Sequence, residues 1–357
     1  MHDTKKAQAL VGKFRKAAAG LAITLIGLAA FQRGTQGHVE GLPSHQVLAF
    51  YYGWWGNPAV SGRWVHWKGV DPATERIENS RHFPAFGPYD SHDPAILDRQ
   101  MALAQRAGIT GFIASWWGQG SFEDRGMPLL LDAATKQGLA VSAYYEKVSG
   151  DDAASRTKAA VADLDYLLSN YATHKAWLRA GRQPVVLVYG RALRQLLPAE
   201  WQAVIAQVRR DNPGGVALVA DSLDPALVTA FDGVSTYNIT GQTLHKTPSQ
   251  IREWAHAAYP KMVAAAGPGK ISTVTVIPGY DDSKLGRPPP RPVTQRWGGE
   301  TYRVLWQEAV AASPDYVLIT SWNEWHEGSE IEPSVEYGSV MLNDTAVLAR
   351  EFLGGRR

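Results

Sequence analysis

Tyr316-Val317-Leu318-Ile319-Thr320-Ser321-Trp322-Asn323-Glu324-Trp325-His326-Glu327-Gly328-Ser329-Glu330-Ile331-Glu332 begins as a strand and ends as a cluster of ionisable groups. The apolar run 316–320, bounded by Pro314 and Asp315, has the composition of a buried strand. The twelve residues that follow hold four carboxylates (Glu324, Glu327, Glu330, Glu332), one imidazole (His326) and two indoles (Trp322, Trp325). A folded core has no need of that mixture. Carboxylates beside aromatic walls suit sugar chemistry, in which one acid keeps a proton while another stays ionised. The plainer reading is an acidic surface loop whose two tryptophans cap the fold.

Outward from this stretch, strand-like runs alternate with amphipathic helical stretches from residue 47 onward. Strands are predicted at 47–52, 110–115, 139–145, 184–189, 216–220, 233–237, 271–277 and 316–321. Helices are predicted at 94–107, 127–137, 154–171, 198–210, 249–266, 299–313 and 340–353, with a shorter piece at 225–231. Asp93-Pro94 is a cap followed by proline at the first helical position, and Gly108 closes that helix. Eight strand–helix units in one domain predict an α/β fold of the (β/α)8 TIM-barrel type. An open doubly wound sheet is the competitor, but no Gly-rich phosphate loop follows the first strand.

In such a barrel the chemistry sits on the loops after the strands. Those loops begin Tyr51-Tyr52-Gly53-Trp54-Trp55, Ser115-Trp116-Trp117, Tyr144-Tyr145-Glu146, Tyr189-Gly190-Arg191, Tyr237-Asn238 and Pro278-Gly279-Tyr280. Polar, aromatic and acidic residues thus converge on one rim. Glu324 and Glu327, three apart just past a strand, can project from a single turn as the acid and base of a glycosidase. Glu146 reads equally well as an ion-pair partner of Lys147 or an arginine. His66 and His82 read as structural histidines. The run His326-Glu327-Gly328-Ser329-Glu330 falls short of a zinc-protease H-E-x-x-H, because the second histidine is missing and Gly328 weakens a helix there. No metal and no cofactor are expected.

Composition sharpens the classes that remain. A chain of 357 residues is long enough for a sizeable core, and 45% hydrophobic with 20% charged residues is ordinary for a globular protein. A formal charge of +2 without a basic aromatic stripe gives no case for nucleic acid. Thirteen tryptophans lean toward a carbohydrate ligand, since indole faces stack on the C–H faces of sugar rings. The absence of cysteine excludes disulfides, thiol catalysis and cysteine-type metal sites. Residues 1–31 combine Lys5, Lys6, Lys13, Arg15 and Lys16 with an apolar run over 17–31, the pattern of a cleaved export signal or a membrane anchor. Residues 32–45 read as a linker and 46–357 as the catalytic domain, exported to the periplasm, secreted or held at a membrane through 17–31.

The rim motifs resemble glycoside hydrolase family 99, the endo-acting α-mannosidases and α-mannanases. The likeness rests on residues 50–58 with Trp64, His66 and Trp67, on Ser115-Trp116-Trp117, and on Glu146. It continues through Phe231-Asp232-Gly233 with Tyr237, through Pro278-Gly279-Tyr280, and through residues 322–328. It implies retaining attack on an internal α-mannoside bond through a 1,2-anhydrosugar, with Glu324 as base on the sugar 2-hydroxyl and Glu327 as acid and base. It also implies a substrate-binding set of Tyr52 (or Tyr51), Trp55, His66, Trp117, Glu146, Tyr237, Tyr280, Asn323, Trp325 and His326. Trp117 favours mannose in the adjoining subsite. The Pro- and Arg-rich stretch 284–297 departs from the family. A related barrel acting on another α-glycan or in polysaccharide assembly, and a silent sugar-binding protein, are the alternatives.

Overall fold

The computed structural model describes residues 45–354. The expected leader at 1–31 and linker at 32–45 lie outside them, except for His45, whose ring stacks on Phe352 at 4.4 Å. Among the described residues, no helix is long and apolar enough to cross a membrane.

Eight parallel strands form the barrel. They are β1 Gln46–Tyr51, β2 Gly111–Trp116, β3 Ala140–Tyr145, β4 Gln183–Val188, β5 Ala217–Ala220, β6 Gly233–Val234, β7 Thr273–Val276 and β8 Tyr316–Ile319. Their order around the sheet is β6-β5-β4-β3-β2-β1-β8-β7. The ring closes between β6 and the residues before β7, where Val234 N–H donates to the Ile271 carbonyl at 3.0 Å and Ile271 N–H to Asp232 at 2.8 Å. Each strand is followed by a helix: α1 Pro94–Arg106, α2 Phe122–Gln137, α3 Ala153–Asn170, α4 Pro198–Asp211, α5 Pro225–Val228, α6 Pro248–Ala266, α7 Glu300–Ala312 and α8 Val340–Gly354. Several open on a capping side chain before a proline, as at Asp93-Pro94, Asp224-Pro225 and Thr247-Pro248.

Strand alternation divides the core in two. Val47, Ala49 and Tyr51 of β1 face the helices with Phe112 and Ala114 of β2. Leu48 and Phe50 point into the lumen, with Ile113, Tyr144, Leu187, Val219 and Leu318. Phe50 meets Tyr144 and Tyr237 edge-on, each at 4.8 Å, so the lumen under the site is plugged with aromatic rings.

Several boundaries differ from expectation, and two of them show why. α2 begins at Phe122, capped by Ser121, five residues before the predicted start. Gly126 and Pro128 look like breakers, yet a Cβ at Gly126 would meet His92 Nε2 at 2.8 Å. Proline at 128 frees the carbonyl of Asp124, which accepts instead from the Tyr171 hydroxyl at 3.1 Å. β6 ends at Val234, short of the predicted 237. Tyr237 leaves the ladder because Asp221 Oδ1 takes its N–H at 2.7 Å and Thr320 Oγ1 donates to its carbonyl at 3.0 Å.

At the closing seam a Cβ on Gly233 would lie 2.7 Å from the Ile271 carbonyl oxygen. Gly233→Ala is therefore expected to lower stability by roughly 1–3 kcal/mol, because backbone has to move to admit the methyl group. Denaturant unfolding measures this, and an unchanged midpoint would mean that the seam has slack.

Candidate active site

The loop after β8 folds back on itself. Ser321 N–H donates to the Ser329 carbonyl at 2.8 Å and Ile331 N–H to the Ser321 carbonyl at 2.9 Å. Ser321 Oγ accepts from Glu324 N–H at 2.7 Å, and Glu327 N–H reaches the Glu324 carbonyl at 3.3 Å. One turn thus carries both glutamates. Gly328, at φ +57°, follows it, and a Cβ there would sit 3.2 Å from the Asp281 carbonyl oxygen.

Asn323 ties this loop to the end of β1. Its Oδ1 accepts from Tyr52 N–H at 2.7 Å, while Nδ2 donates to the Tyr52 carbonyl at 2.9 Å and the Tyr89 hydroxyl at 3.0 Å. Trp55 Nε1 donates to the Asn323 carbonyl at 3.2 Å, and Trp325 Nε1 to the Tyr89 hydroxyl at 3.1 Å. Trp55, Asn323 and Trp325 are each 0% exposed. All three, expected to bind substrate, are closed off from solvent, and their hydrogen bonds hold together the loops that form the site. Trp322 is equally buried and packs edge-on against Phe112 at 5.3 Å.

The outer two acids, Glu330 and Glu332, are buried rather than on the surface. Burial alone would raise Glu330, but Arg296 at 2.6 Å and His82 at 2.8 Å outweigh it and hold the carboxyl below its usual range. Glu332 accepts from Tyr89 Oη and Gln100 Nε2, both at 2.7 Å, yet burial pushes it from 4.5 up to about 7. The folded state then keeps this proton longer than the unfolded chain does. Stability from this group is complete below pH 4.5 and falls as pH rises through about 7. The loss amounts to about 3 kcal/mol. Glu332→Gln, with no charge to desolvate, is expected to flatten that part of the stability–pH curve. Unfolding midpoints measured between pH 4.5 and about 7 test it, and equal slopes in both proteins would refute it.

Glu324 and Glu327 face a different environment. Glu324 is buried, and its carboxyl is raised well above the ordinary range by desolvation and then by Glu327. His326 N–H, donating to Oε1 at 3.0 Å, opposes the rise. Glu327 is raised by burial and partly drawn back by hydrogen bonds from Tyr237 and Tyr280. The Tyr52 hydroxyl donates to Tyr237 Oη at 2.6 Å, and Tyr237 donates to Glu327 Oε2 at 3.2 Å. Two adjoining carboxyls that resist ionising together can hold one proton and one charge.

Around them lie the other expected residues. Glu146, at the end of β3, forms no ion pair with Lys147. It accepts from Ser115 Oγ at 2.8 Å, and burial carries it up to about 8. Ser115 Oγ in turn accepts from Trp117 Nε1 at 3.0 Å. Burial and neighbouring positive groups hold His326 down at about 4, so its ring is neutral. Its Nε2 meets Asn79 Nδ2 at 2.8 Å and the His66 carbonyl at 3.1 Å. Among the described residues no group of three His, Asp or Glu side chains is arranged to hold a metal ion.

Trp54, Tyr189 and Arg191 were not in the expected set. Trp54 is half-buried, stacks on His66 at 4.7 Å and tilts against Tyr52 at 4.6 Å. Arg191 lies over Trp117 at 5.0 Å and Tyr189 at 5.5 Å. Each stands within three residues of a strand's end, which was the available clue. The 284–297 stretch leaves a hairpin of Tyr280–Asp281 and Val293–Thr294, and Arg287 and Arg291 both bind the buried Asp282. A separate cavity of about 1010 Å³ at the N-terminal end of the strands is lined by no carboxylate.

Comparison with known proteins agrees with this geometry. The profile of glycosyl hydrolase family 99 matches residues 43–343. A glycoprotein endo-alpha-1,2-mannosidase-like protein of Mus musculus is 27% identical over 327 residues, covering 80% of this chain and 69% of the relative. The glycoprotein endo-alpha-1,2-mannosidase of Rattus norvegicus is 26% identical over 345 residues, 85% of this chain and 71% of that one. The solved GH99 endo-alpha-mannosidase from Bacteroides thetaiotaomicron superposes with a TM-score of 0.73 at 25% identity, covering 88% of this chain and 99% of that structure. With a closed (β/α)8 ring, a glutamate pair at the end of β8 and a profile match across most of its length, the chain belongs to glycosyl hydrolase family 99 and is a glycoside hydrolase.

Proposed function

We propose that the protein is an endo-acting, retaining α-mannosidase that cleaves internal α-1,2-type bonds in mannan or mannose-rich glycans. The observation that carries this reading is one turn bearing two buried carboxyls raised above their ordinary range, Glu324 and Glu327, the second fed by the Tyr52–Tyr237 hydroxyl chain. Relatives named as endo-α-1,2-mannosidases support the substrate class.

In the first step Glu324 takes the proton of the sugar 2-hydroxyl as O2 attacks C1. Glu327 protonates the departing glycosidic oxygen, and a 1,2-anhydrosugar forms. In the second step Glu327, now ionised, takes a proton from water as that water opens the ring at C1. O2 recovers its proton from Glu324. Two inversions at C1 leave the α configuration unchanged. Tyr237 and Tyr280 steady the charge on Glu327 between the steps. Trp54 and Trp117 supply aromatic faces, and Glu146 supplies a polar partner, around the bound sugars. The basic flank and apolar run within residues 1–31 support an exported domain.

The test is to incubate the protein with α-1,2-mannan, α-1,3-glucan and glucosylated mannosides. Released oligosaccharides of α configuration from the mannan are expected, followed by proton NMR before mutarotation. Monosaccharide as the first product, or a β product, would overturn the reading.

A further inference from the structure

A hollow of about 510 Å³ adjoins the glutamate pair, and nothing in the steps above uses it. Arg63, Trp64, His66, Lys68, Asn79 and His326 form most of its wall, and no Asp or Glu lines it. It reaches the reacting centre through His326, whose N–H donates to Glu324 Oε1 at 3.0 Å. The volume falls within the range of small-ligand sites and admits a sugar ring with a substituent.

The charge in this hollow is unspent. Among the described residues Arg63 and Lys68 form no ion pair, not even with Glu78, whose N–H donates to the Lys68 carbonyl at 2.9 Å, while Asp281 is held by Arg81 at 3.1 Å and Asp282 by Arg287 and Arg291. Burial lowers both imidazoles of the wall, Lys68 lowers both further, and Arg287 adds to the effect on His326. Trp64 is 43% exposed and offers a free indole face beside the two cations. A neutral glycan has no use for a guanidinium and an ammonium on one wall without counter-ions. Both groups match anionic oxygens, the guanidinium through its planar fork and the ammonium as a point charge.

We propose that this hollow is a subsite for a sugar unit carrying an anionic group, a phosphate ester or a carboxylate, next to the bond that is cleaved. Trp64 stacks on the ring, Arg63 and Lys68 take the anion, and the preferred substrate is an acidic glycan. The inference rests on the mannosidase reading for the backbone of that glycan, and it adds the charge.

Calorimetry on the Glu327→Gln protein, which binds without turnover, compares three α-1,2-mannotrioses: neutral, terminally 6-phosphorylated, and terminally oxidised to the uronic acid. One or both acidic trioses are expected to bind about tenfold tighter than the neutral one, the value of a single charged hydrogen bond. Added salt should erode the difference. Adding Arg63→Ala and Lys68→Ala, both at exposed positions, should abolish the preference while leaving the neutral triose within about twofold. The better of the two acidic trioses identifies the anion. Equal affinities, absence of binding by any triose, or a preference that survives the double substitution would overturn the subsite. Hydrolysis of neutral α-1,2-mannan by the unsubstituted protein is followed in parallel. Cleavage without a charge preference sinks the subsite alone, and a charge preference without cleavage sinks the mannosidase reading alone.

Discussion

Glu327→Gln is expected to lower turnover of an α-1,2-mannoside by about a thousandfold, within the range for loss of a general acid–base group. The departing oxygen belongs to a sugar alkoxide, which leaves slowly unless it is protonated as the bond breaks. An amide cannot deliver that proton, nor can it later take one from water. A mannosyl fluoride or an activated aryl mannoside needs no protonation, so the first step should recover with such a donor while ring opening stays slow. A burst of leaving group is the expected record. The variant should also melt no lower than the parent, because burial raises the Glu327 carboxyl and its charge is a cost to the fold. Full activity on the natural linkage would remove Glu327 from the mechanism.

Glu324→Gln should be as severe, about a thousandfold, but without rescue by a better leaving group. What fails is deprotonation of the attacking 2-hydroxyl, and departure of the aglycone does not replace it. The two variants together separate the roles. Their pH profiles follow from the same electrostatics. Glu324 has to be ionised and Glu327 protonated when the first step begins, so activity rises as the pair loses its first proton and falls as it loses the second. Desolvation raises both groups, and Glu327 raises Glu324 further. The bell should therefore lie above the range of two ordinary carboxylates, and the limbs belong to the pair rather than to one residue. A profile with both limbs near ordinary carboxylate values would contradict this electrostatic picture.

Much of the barrel was legible because strand and helix impose different periods on apolar residues. Runs such as Val47 to Phe50 and Val185 to Val188 are buried on both faces, and their uninterrupted hydrophobicity announces a parallel sheet covered by helices. The rim was legible for the same reason: once strands are counted, the residues after them belong at one end. What could not be read was which side of a loop each aromatic faces. Trp54 and Trp55 are neighbours, yet one borders the site and the other stacks on Trp67 at 3.9 Å behind it. Only Asn323, far along the chain, fixes that choice by binding the backbone of Tyr52. The start of α2 was hidden for a related reason. Pro128 suits the first turn of the helix predicted at 127–137, and only Tyr171, satisfying the carbonyl it frees, lets the helix begin five residues earlier.

The narrow closure at Gly233 ties mechanical state to turnover. Tyr237, three residues past β6, is the donor to Glu327; its carbonyl accepts from Thr320 Oγ1 just past β8, and across the seam the carbonyl of Thr236 accepts from Thr275 of β7. β6 and β7 are joined there by a few backbone hydrogen bonds, whereas β2 and β3 pair along six residues. A small parting of the ring would carry Tyr237 away from Glu327 while most helices and strands stayed paired. Under gentle denaturation, loss of turnover should precede loss of the circular-dichroism signal, which makes the enzyme's own rate the more sensitive gauge of whether its barrel is shut.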